Sequence, residues 1–440
     1  MSDTTFVDGV TPVPASWLND VNDFVYTNGT TKTTLFGTNV YYLGILDDGS
    51  DQSTAIQAAI DSLSASGGGT LFFPRKTTGV YGLGSTGITL RNRVTLEGEG
   101  APYIGTSSTS NTTPVTFQCS GASAVRFGDG STFGTQGGVL RNLGIFGNGT
   151  GTNGVVFYGT SGSAATGNLI ENCHISNFTG NGIEVTQYSF VNTVKDSSVS
   201  KCGIGVYLKQ EANDWTLDNV KNTANTVNFT IGSGSGTSQS GIRLLNVKSE
   251  NAVNEGIIIQ NPTRSIDLIG IYSEANGKEG IKSTSTTATI SILGGECHIN
   301  NALYSNISLN AGTIFHIEGV AFSGSSKYDI DLNSVGNYYG RIGPCRHGAT
   351  NASGRFGYST VGSDTLVEIT DTYTPEHYQI YGTSKSYGIL NAASSGATGS
   401  RPTLNTRNRG SLYFDTTLNA NGKPIFWTGT IWVDATGASV

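Results

Sequence analysis

Two glutamates spaced 24 residues apart are the best candidates for acid–base chemistry in this chain of 440 residues. Glu250 and Glu274 occupy the same position after a short apolar motif, and the next equivalent position is His298. If the fold stacks them as neighbouring strands, their backbones lie about 4.7–4.9 Å apart. Two carboxylates this close cannot both ionise freely, so the pKa of one should rise, which would give an acid and a base.

Glycoside hydrolases use such a pair of carboxylates. Their carboxyl groups lie about 5–5.5 Å apart in retaining enzymes and about 6.5–9.5 Å apart in inverting ones. The stacked spacing predicted here is near the retaining range. A slip of one residue in the alignment would turn one carboxylate away and remove the pair.

Polar side chains in neighbouring positions would complete a sugar-binding surface. We predict that the glutamate pair is catalytic and that Lys248, Tyr272, His298 and Arg243 bind the substrate. The alternative is a solvated polar ladder in which Lys248 and His298 balance the charge of the glutamates.

A second candidate site lies at residues 209–215 (KQEANDW). Here Glu211 and Asp214 would be the acid and base, and Trp215 would stack on a sugar ring, because aromatic faces cover apolar sugar faces. Trp215 also occupies a core position of the apolar motif, which would instead bury it.

Other groups of polar residues are better explained by structure. Glu255 and Glu279 each precede a Gly-Ile pair, which is typical of a turn corner. The sequence Cys-His-Ile-x-Asn occurs at both 173–177 and 297–301 and indicates a repeat rather than two metal sites. The five cysteines lie far apart without metal-ligand spacing, so we expect free buried thiols, no metal and no cofactor.

The element that must position these residues is a repeat of about 24 residues between residues 140 and 314. An apolar residue is followed five positions later by a second small or apolar residue, and the motif begins at Leu140, Ile170, Val194, Trp215, Ile242, Ile266, Ile290 and Ile314. A fixed period without a helical pattern predicts a β-solenoid, in which each repeat is one coil. The alignment predicts one outward column of Phe178, Cys202, Thr223, Glu250, Glu274 and His298.

Composition agrees with a β-solenoid. Glycine accounts for 61 of the 440 residues, and only 13% of the residues are charged, against a typical content of about 25%. The net charge of −7 argues against a nucleic-acid surface. No run of 18 apolar residues occurs, so we expect no membrane span, and the N-terminus lacks the features of a secretory signal.

The two ends of the chain differ from the repeat region. The apolar spacing in residues 14–27 predicts a short amphipathic helix. The apolar face of Ile56, Ala59, Ile60 and Leu63 predicts a second helix, which begins at a cap at Asp51 or Ser53, is stopped by the glycines at 67–69 and would cap the first coil. We therefore divide the chain into an N-terminal attachment segment (1–45), a parallel β-helix with its capping helix (46–350), a C-terminal β region (351–395) and a C-terminal trimerisation or glycan-binding module (396–440).

Several segments carry a resemblance to known families. Residues 47–51 (DDGSD), 56–61 (IQAAID), 67–74 (GGGTLFFP) and 94–100 (VTLEGEG) resemble the opening of pectate-lyase-like right-handed β-helix proteins. Residues 9–22 (GVTPVPASWLNDVN) resemble the start of many bacteriophage tail proteins. Residues 410–418 (GSLYFDTTL) and 424–434 (PIFWTGTIWVD) are similar to a C-terminal module of phage tail fibres and tailspikes. The combination implies a trimeric phage tailspike.

The resemblance implies an all-β fold, a right-handed parallel β-helix with short N-terminal helices and a small C-terminal β module, assembled as a homotrimer in the virion. Its partners would be a bacterial surface polysaccharide, two further copies of the chain, and other phage tail proteins at the N-terminus. We predict depolymerisation of capsule or O-antigen, by hydrolysis rather than β-elimination. The alternatives are a tail fibre that binds without cleaving and a polysaccharide lyase.

Overall fold

The computed structural model describes residues 33–34, 37–100, 114–233, 239–261, 263–298, 300–324, 327–348, 356–358, 365–369, 378–381, 394–401 and 412–440. The predicted helix at 14–27 and most of the predicted attachment segment lie outside these residues. Within them no helix is both long and apolar enough to cross a membrane.

Parallel strand pairing between successive coils builds three ladders, and most of the described coils contribute one strand to each ladder. The first ladder runs through Gly37–Asn39, Gly69–Phe73, Val94–Gly98, Val139–Arg141, Leu169–Glu171, Thr193–Lys195, Thr216–Asp218, Ile242–Leu245, the first halves of Ser265–Glu274 and Thr289–His298, Ile314–Glu318, Tyr339–Ile342 and Leu366–Ile369. Its ends are closed by two antiparallel strands, Thr33–Thr34 and Tyr378–Tyr381.

The second ladder follows the first after one tight turn. It runs through Asp48–Asp51, Val80–Gly82, Thr116–Gln118, Gly144–Phe146, His174–Ser176, Ser198–Ser200, Lys221–Thr223, Lys248–Glu250, the second halves of Ser265–Glu274 and Thr289–His298, Ala321–Ser323 and Arg346–His347.

The third ladder has eleven strands. They are Ile88–Leu90, Ser123–Phe127, Asn153–Tyr158, Asn181–Gln187, Ile204–Leu208, Val227–Ile231, Ile257–Ile259, Ile281–Ser283, Ile307–Leu309, Ile330–Leu332 and Phe356–Tyr358. Three two-residue strands add a small parallel sheet on one side, at Ala165–Thr166, Ser189–Phe190 and Ala212–Asn213.

The sharp turn between the first and second ladders explains one sequence feature of the repeat. Its corner residue has a positive φ in successive coils, and short polar side chains or glycine tolerate this left-handed conformation best. The corner is occupied by Asn142, Asn172, Asp196, Asn219, Asn246, Gly270 and Gly294.

The interior confirms the predicted stacking of coils. Ile242 pairs in register with Ile266, which pairs with Ile290, and all three are fully buried. The fold is therefore an all-β parallel solenoid, as predicted. All five cysteines are free and buried.

The predicted alignment is wrong by two residues in the earlier coils. Val194 pairs with Leu217 rather than aligning with Trp215, so Ser176 and Ser200 precede Thr223 in the outward column. Phe178 and Cys202, which the alignment placed there, are buried in the core. The strands end at Ser176 and Ser200, and the left-handed residues Asn177 and Lys201 turn the chain there, so the alternation of side chains does not extend to Phe178 and Cys202.

A helix at Ser53–Ala65 lies at the first coil, as predicted. The Asp51 carboxylate accepts a hydrogen bond from the Ser53 backbone N–H at 3.0 Å. The amide of Gln57 bonds to both backbone groups of Thr89, at 2.7 and 3.0 Å. Thr89 belongs to the first strand of the third ladder, so this side chain covers part of an otherwise open strand edge.

The C-terminal residues form a separate four-stranded sheet. Its strands are Ser394–Gly396, Leu412–Asp415, Lys423–Trp427 and Trp432–Asp434. Tyr413, Ile425 and Trp432 form its small core, and the rings of Trp427 and Trp432 lie 5.4 Å apart. Short 3-10 helices occur at Val40–Leu43 and Thr398–Ser400.

Candidate active site

Glu250 and Glu274 are in-register neighbours on the second ladder. Glu250 pairs with Glu274, and Glu274 pairs with His298 on the next coil. Thr223 and Ser323 extend the same column on either side. All three central side chains are partly exposed, so they form a polar surface that a ligand can reach.

Glu274 is held by two neighbours. The Tyr272 hydroxyl donates to Glu274 Oε2 at 2.9 Å, and His298 Nε2 lies 2.8 Å from Glu274 Oε1. The Tyr272 hydroxyl also lies 3.1 Å from His298 Nε2. The three groups therefore form one hydrogen-bonded network.

Glu250 is held from the opposite side. Lys221 Nζ, on the preceding coil, lies 2.8 Å from Glu250 Oε2, and both side chains are mostly covered. Lys221 was not among the predicted site residues. The repeat places Lys221 one coil before Lys248 and Tyr272 in the same column. The repeat does not predict that its side chain extends across to the neighbouring column and pairs with Glu250.

Two further residues that the sequence prediction missed complete the cluster. Glu296 pairs in register with Tyr272, and its Oε1 lies 3.8 Å from His298 Nδ1. Ser323 donates to the same Glu296 oxygen at 3.3 Å. The cluster thus contains three carboxylates with one lysine, one histidine and one tyrosine.

The electrostatics differ from the prediction for a bare carboxylate pair. Partial burial alone would raise the pKa of Glu274, but hydrogen bonds from Tyr272 and His298 and the charges of His298 and Lys221 outweigh it, and the pKa is lowered. The expected rise therefore does not occur at Glu274. Burial, and then the bond to Glu274 and the nearby carboxylates, raise the pKa of Tyr272 to about 12.

The remaining predicted binding residues are placed differently. Lys248 is exposed and pairs in register with Tyr272, at the edge of the cluster. Arg243 lies on the first ladder, beyond the left-handed turn at Asn246, in register with Asp267. No hydrogen bond or ion pair joins it to the described side chains of the cluster, so the structure does not bring Arg243 to this site.

The second predicted site consists of turn corners. Glu211 and Asp214 flank the strand Ala212–Asn213 and have φ values of +50° and +53°. In the preceding coil the same corners are Tyr188 and Val191. Neither carboxylate forms a hydrogen bond to the described residues.

Trp215 has no exposed ring face. It is fully buried, packs edge-on against Phe157 at 4.7 Å between ring centres, and donates from Nε1 to the Ser189 carbonyl at 3.0 Å. Its core position in the repeat therefore determines its place, and we do not assign it to sugar binding.

The pair Glu255 and Glu279 forms a largely buried ion network near the third ladder. Lys282 Nζ lies 3.2 Å from Glu255 and 3.3 Å from Glu279, and Lys278 lies 3.5 Å from Glu255. Burial alone would raise the pKa of Glu255, but its hydrogen bonds and these lysine charges lower it. The lysines pair with both carboxylates, which favours a structural role for Glu255 and Glu279.

Solved structures with the same fold come from several sources. The chain is similar to the mannuronan C-5 epimerase AlgE4 A-module of Azotobacter vinelandii, with 19% identity and a TM-score of 0.53 over 79% of this chain and 99% of that one. It is similar to the enzymatically active domain of bacteriophage CBA120 tailspike protein 2, with 18% identity and a TM-score of 0.53 over 73% of this chain and 51% of that one.

It is also similar to the catalytic unit of a GH87 α-1,3-glucanase from Streptomyces thermodiastaticus, with 15% identity and a TM-score of 0.51 over 75% of this chain and 68% of that one. No protein-family model matches the sequence, and no curated protein matches it. At these identities the similarities establish the fold, a right-handed parallel β-helix.

Proposed function

We propose that the protein is a bacteriophage tailspike that binds a polysaccharide of the bacterial surface, a capsule or an O-antigen, and depolymerises it by hydrolysis. The observation that carries the proposal is the partly exposed cluster in which Glu250 and Glu274 stack in register beside Lys221, Tyr272 and His298. The names of the similar structures include a tailspike domain and two polysaccharide enzymes, which supports the same class of substrate.

Glu250 is the proposed general base. Lys221 Nζ lies 2.8 Å from Glu250 Oε2 and orients this carboxylate, and a carboxylate on a partly exposed surface can orient and deprotonate a water molecule. Lys221 would therefore act by positioning Glu250 rather than by touching the sugar.

The network of Glu274, Tyr272 and His298 is the proposed proton donor. Glu274 has a lowered pKa, so it is ionised at neutral pH and holds no proton to donate, whereas Tyr272 stays protonated up to high pH. His298, whose Nε2 lies 2.8 Å from Glu274 Oε1, would pass a proton to the glycosidic oxygen as the C–O bond breaks, while Glu250 takes a proton from the attacking water. This donor, oriented by ionised Glu274, would replace the protonated carboxylic acid that the sequence predicted. Lys248, exposed at the edge of the cluster, would contact the substrate.

The state of Tyr272 favours hydrolysis over β-elimination. An eliminating enzyme needs a base strong enough to remove a carbon-bound proton, and a tyrosine serves this purpose only when its pKa is lowered. Burial and the surrounding carboxylates raise the pKa of Tyr272 instead.

The decisive experiment is to incubate the protein with purified polysaccharide of its host and to measure new reducing ends. Glu250→Gln and Glu274→Gln should each reduce the rate by about 10²- to 10⁴-fold, the usual contribution of a general acid or base. Glu318→Gln is the matched control, since Glu318 pairs with His316 at 2.9 Å on the first ladder. Full activity in both site variants would refute the assignment.

A fibre that binds polysaccharide without cleaving it is the second candidate. The observation that favours it is that both glutamates already have a cationic or proton-donating partner within 3 Å. This arrangement would also suit a rigid polar surface for glycan hydroxyl groups. Tight binding of the host polysaccharide without new reducing ends would select this candidate.

The assembly and location of the protein belong to the same proposal. A tailspike would be a homotrimer in the virion, joined to other tail proteins through residues 1–45, with residues 396–440 as a trimerisation or glycan-binding module. Exposed apolar side chains on the outer face of the first ladder, at Ile269, Ile314 and Leu366, support burial of this face between subunits.

A further inference from the structure

A cavity of about 490 Å³ lies at the opposite end of the described solenoid from residues 356–369, between the capping helix and the third ladder. One wall is a face of the helix with Thr54, Gln57 and Asp61. The floor comes from Thr89 and Arg126, which are in-register neighbours on the first two strands of the third ladder. The volume falls within the range of small-molecule sites, about 300–1,000 Å³.

Arg126 is fixed in this floor without a carboxylate partner. Its Nε donates to Thr89 Oγ1 at 3.1 Å, and its Nη1 donates to the Thr86 carbonyl at 3.2 Å. No described acidic residue forms an ion pair with it, and no described residue accepts a hydrogen bond from its Nη2. Among the described residues, two neutral acceptors thus orient this cation and no carboxylate pairs with it.

Arg91 presents a second guanidinium to the same cavity. Its Nε bonds to Asp61 Oδ1 at 2.7 Å, and its carbon lies 4.4 Å from the centre of the Phe133 ring. Neither of its Nη atoms donates to a described residue. The side chain is therefore held by a carboxylate and an aromatic ring, and no described residue occupies its two terminal amino groups.

The other acidic residue of the cavity does not neutralise these arginines. Asp129 Oδ1 accepts the backbone N–H groups of Ser131, Thr132 and Phe133 at 2.7–3.0 Å, and Thr132 also donates its hydroxyl. Burial alone would raise the pKa of Asp129, but these hydrogen bonds lower it. The carboxylate is engaged in shaping the loop that carries Phe133.

We propose that this cavity is a second saccharide-binding site, separate from the glutamate cluster, which takes a sugar unit bearing a carboxylate. Arg126 Nη2 and the terminal amino groups of Arg91 would hold the carboxylate, because arginine forks match its two oxygens. The exposed hydroxyls of Thr54 and Thr86 would bind sugar hydroxyls. The choice of a sugar rests on the proposed function, whereas the cavity for an organic anion does not.

The experiment is calorimetric titration of the full-length protein with trigalacturonate, maltotriose and inorganic phosphate. We expect trigalacturonate to bind at least tenfold more tightly than maltotriose, since only the former carries carboxylates. Arg126→Gln should reduce that affinity at least tenfold. Arg341→Gln, at an exposed position on the first ladder, removes the same charge and should change nothing.

Ala58→Trp provides a second variant that keeps both arginines. Ala58 is exposed on the helix face that lines the cavity, so a large ring there should fill the cavity and abolish binding while the helix stays intact. Equal binding of trigalacturonate and maltotriose, equal binding of phosphate, or full affinity in Arg126→Gln or Ala58→Trp would overturn the proposal. If trigalacturonate binds through Arg126 but the protein releases no reducing ends from polysaccharide, only the proposed hydrolysis is refuted and the second binding site stands.

Discussion

Glu250 and Glu274 belong to neighbouring strands, but their partners draw their carboxylates in opposite directions along the solenoid. Glu250 reaches back to Lys221 on the preceding coil, and Glu274 reaches forward to His298 on the following coil. Their carboxyl groups should therefore lie farther apart than the backbone spacing of about 4.8 Å. This shifts the expectation from retention, which the sequence favoured, to inversion.

The stereochemical outcome is the first prediction at this scale. A separation in the inverting range, about 6.5–9.5 Å, leaves room for a water molecule opposite the leaving group. Proton NMR during the first minutes of polysaccharide cleavage should show the new reducing end with the anomeric configuration opposite to that of the cleaved bond. Initial formation of the same anomer would contradict the proposed roles.

The acid limb of the pH profile is the second prediction. The Tyr272 hydroxyl stabilises ionised Glu274, whose pKa is lowered from its ordinary value of 4.5. Activity that needs this carboxylate should persist below that pH and be lost as the pH falls through the lowered pKa. Tyr272→Phe removes one hydrogen bond to the charged form, so the acid limb of kcat/KM should move to higher pH.

Tyr339→Phe is the control for this measurement, because Tyr339 is exposed on the first ladder. The same displacement of the acid limb in both variants, or none in Tyr272→Phe, would show that the hydroxyl does not tune Glu274.

At the scale of strands and turns, the 24-residue period of the sequence was sufficient to predict the fold and the stacking of Glu250, Glu274 and His298. The alignment slipped by two residues near Trp215, so it placed Phe178 and Cys202 on the outward face, although both lie beyond the ends of their strands and in the core. The ion pair of Lys221 was not predictable from the period, since a flexible side chain can reach diagonally between coils. Arg243 was misplaced because the turn at Asn246 separates two faces.

A partly buried histidine of the second ladder gives the third prediction. Burial, and to a smaller extent the charge of Lys201, lower the pKa of His174 to about 4 from 6.5. His174 Nδ1 lies 2.6 Å from Ser198 Oγ. A base with a lowered pKa binds fewer protons in the folded state, so stability is lost as the pH falls from 6.5 towards 4, by roughly 3 kcal/mol in total.

Thermal unfolding at pH 7 and pH 4.5 tests this linkage. The difference in Tm between the two pH values should be smaller in His174→Gln than in the unmodified protein. His316→Gln, at a half-exposed position, should leave the difference unchanged. An unaltered difference in His174→Gln would mean that other groups dominate the acid sensitivity.

At the scale of the whole molecule, the outer face of the first ladder gives the fourth prediction. Ile269, Ile314 and Leu366 expose 40–50% of their surface there. We expect light scattering to give three times the chain mass of 45.9 kDa, and Ile269→Lys to shift the protein towards monomer, because burying an unpaired charge between subunits is costly.

Val253→Lys is the matched substitution, since Val253 is an exposed apolar residue at a turn outside this face. It should leave the mass unchanged. If the unmodified protein is a monomer, or if the trimer persists in Ile269→Lys, the outer face of the first ladder is not a subunit interface.

The side-chain amide of Gln57 has a consequence for solubility. It satisfies an N–H and a carbonyl of Thr89 that would otherwise offer a template for a foreign strand. A chain lacking this amide would expose a strand edge, to which other extended polypeptides could pair one after another. The capping helix at the first coil would thus protect the protein from aggregating through this strand edge.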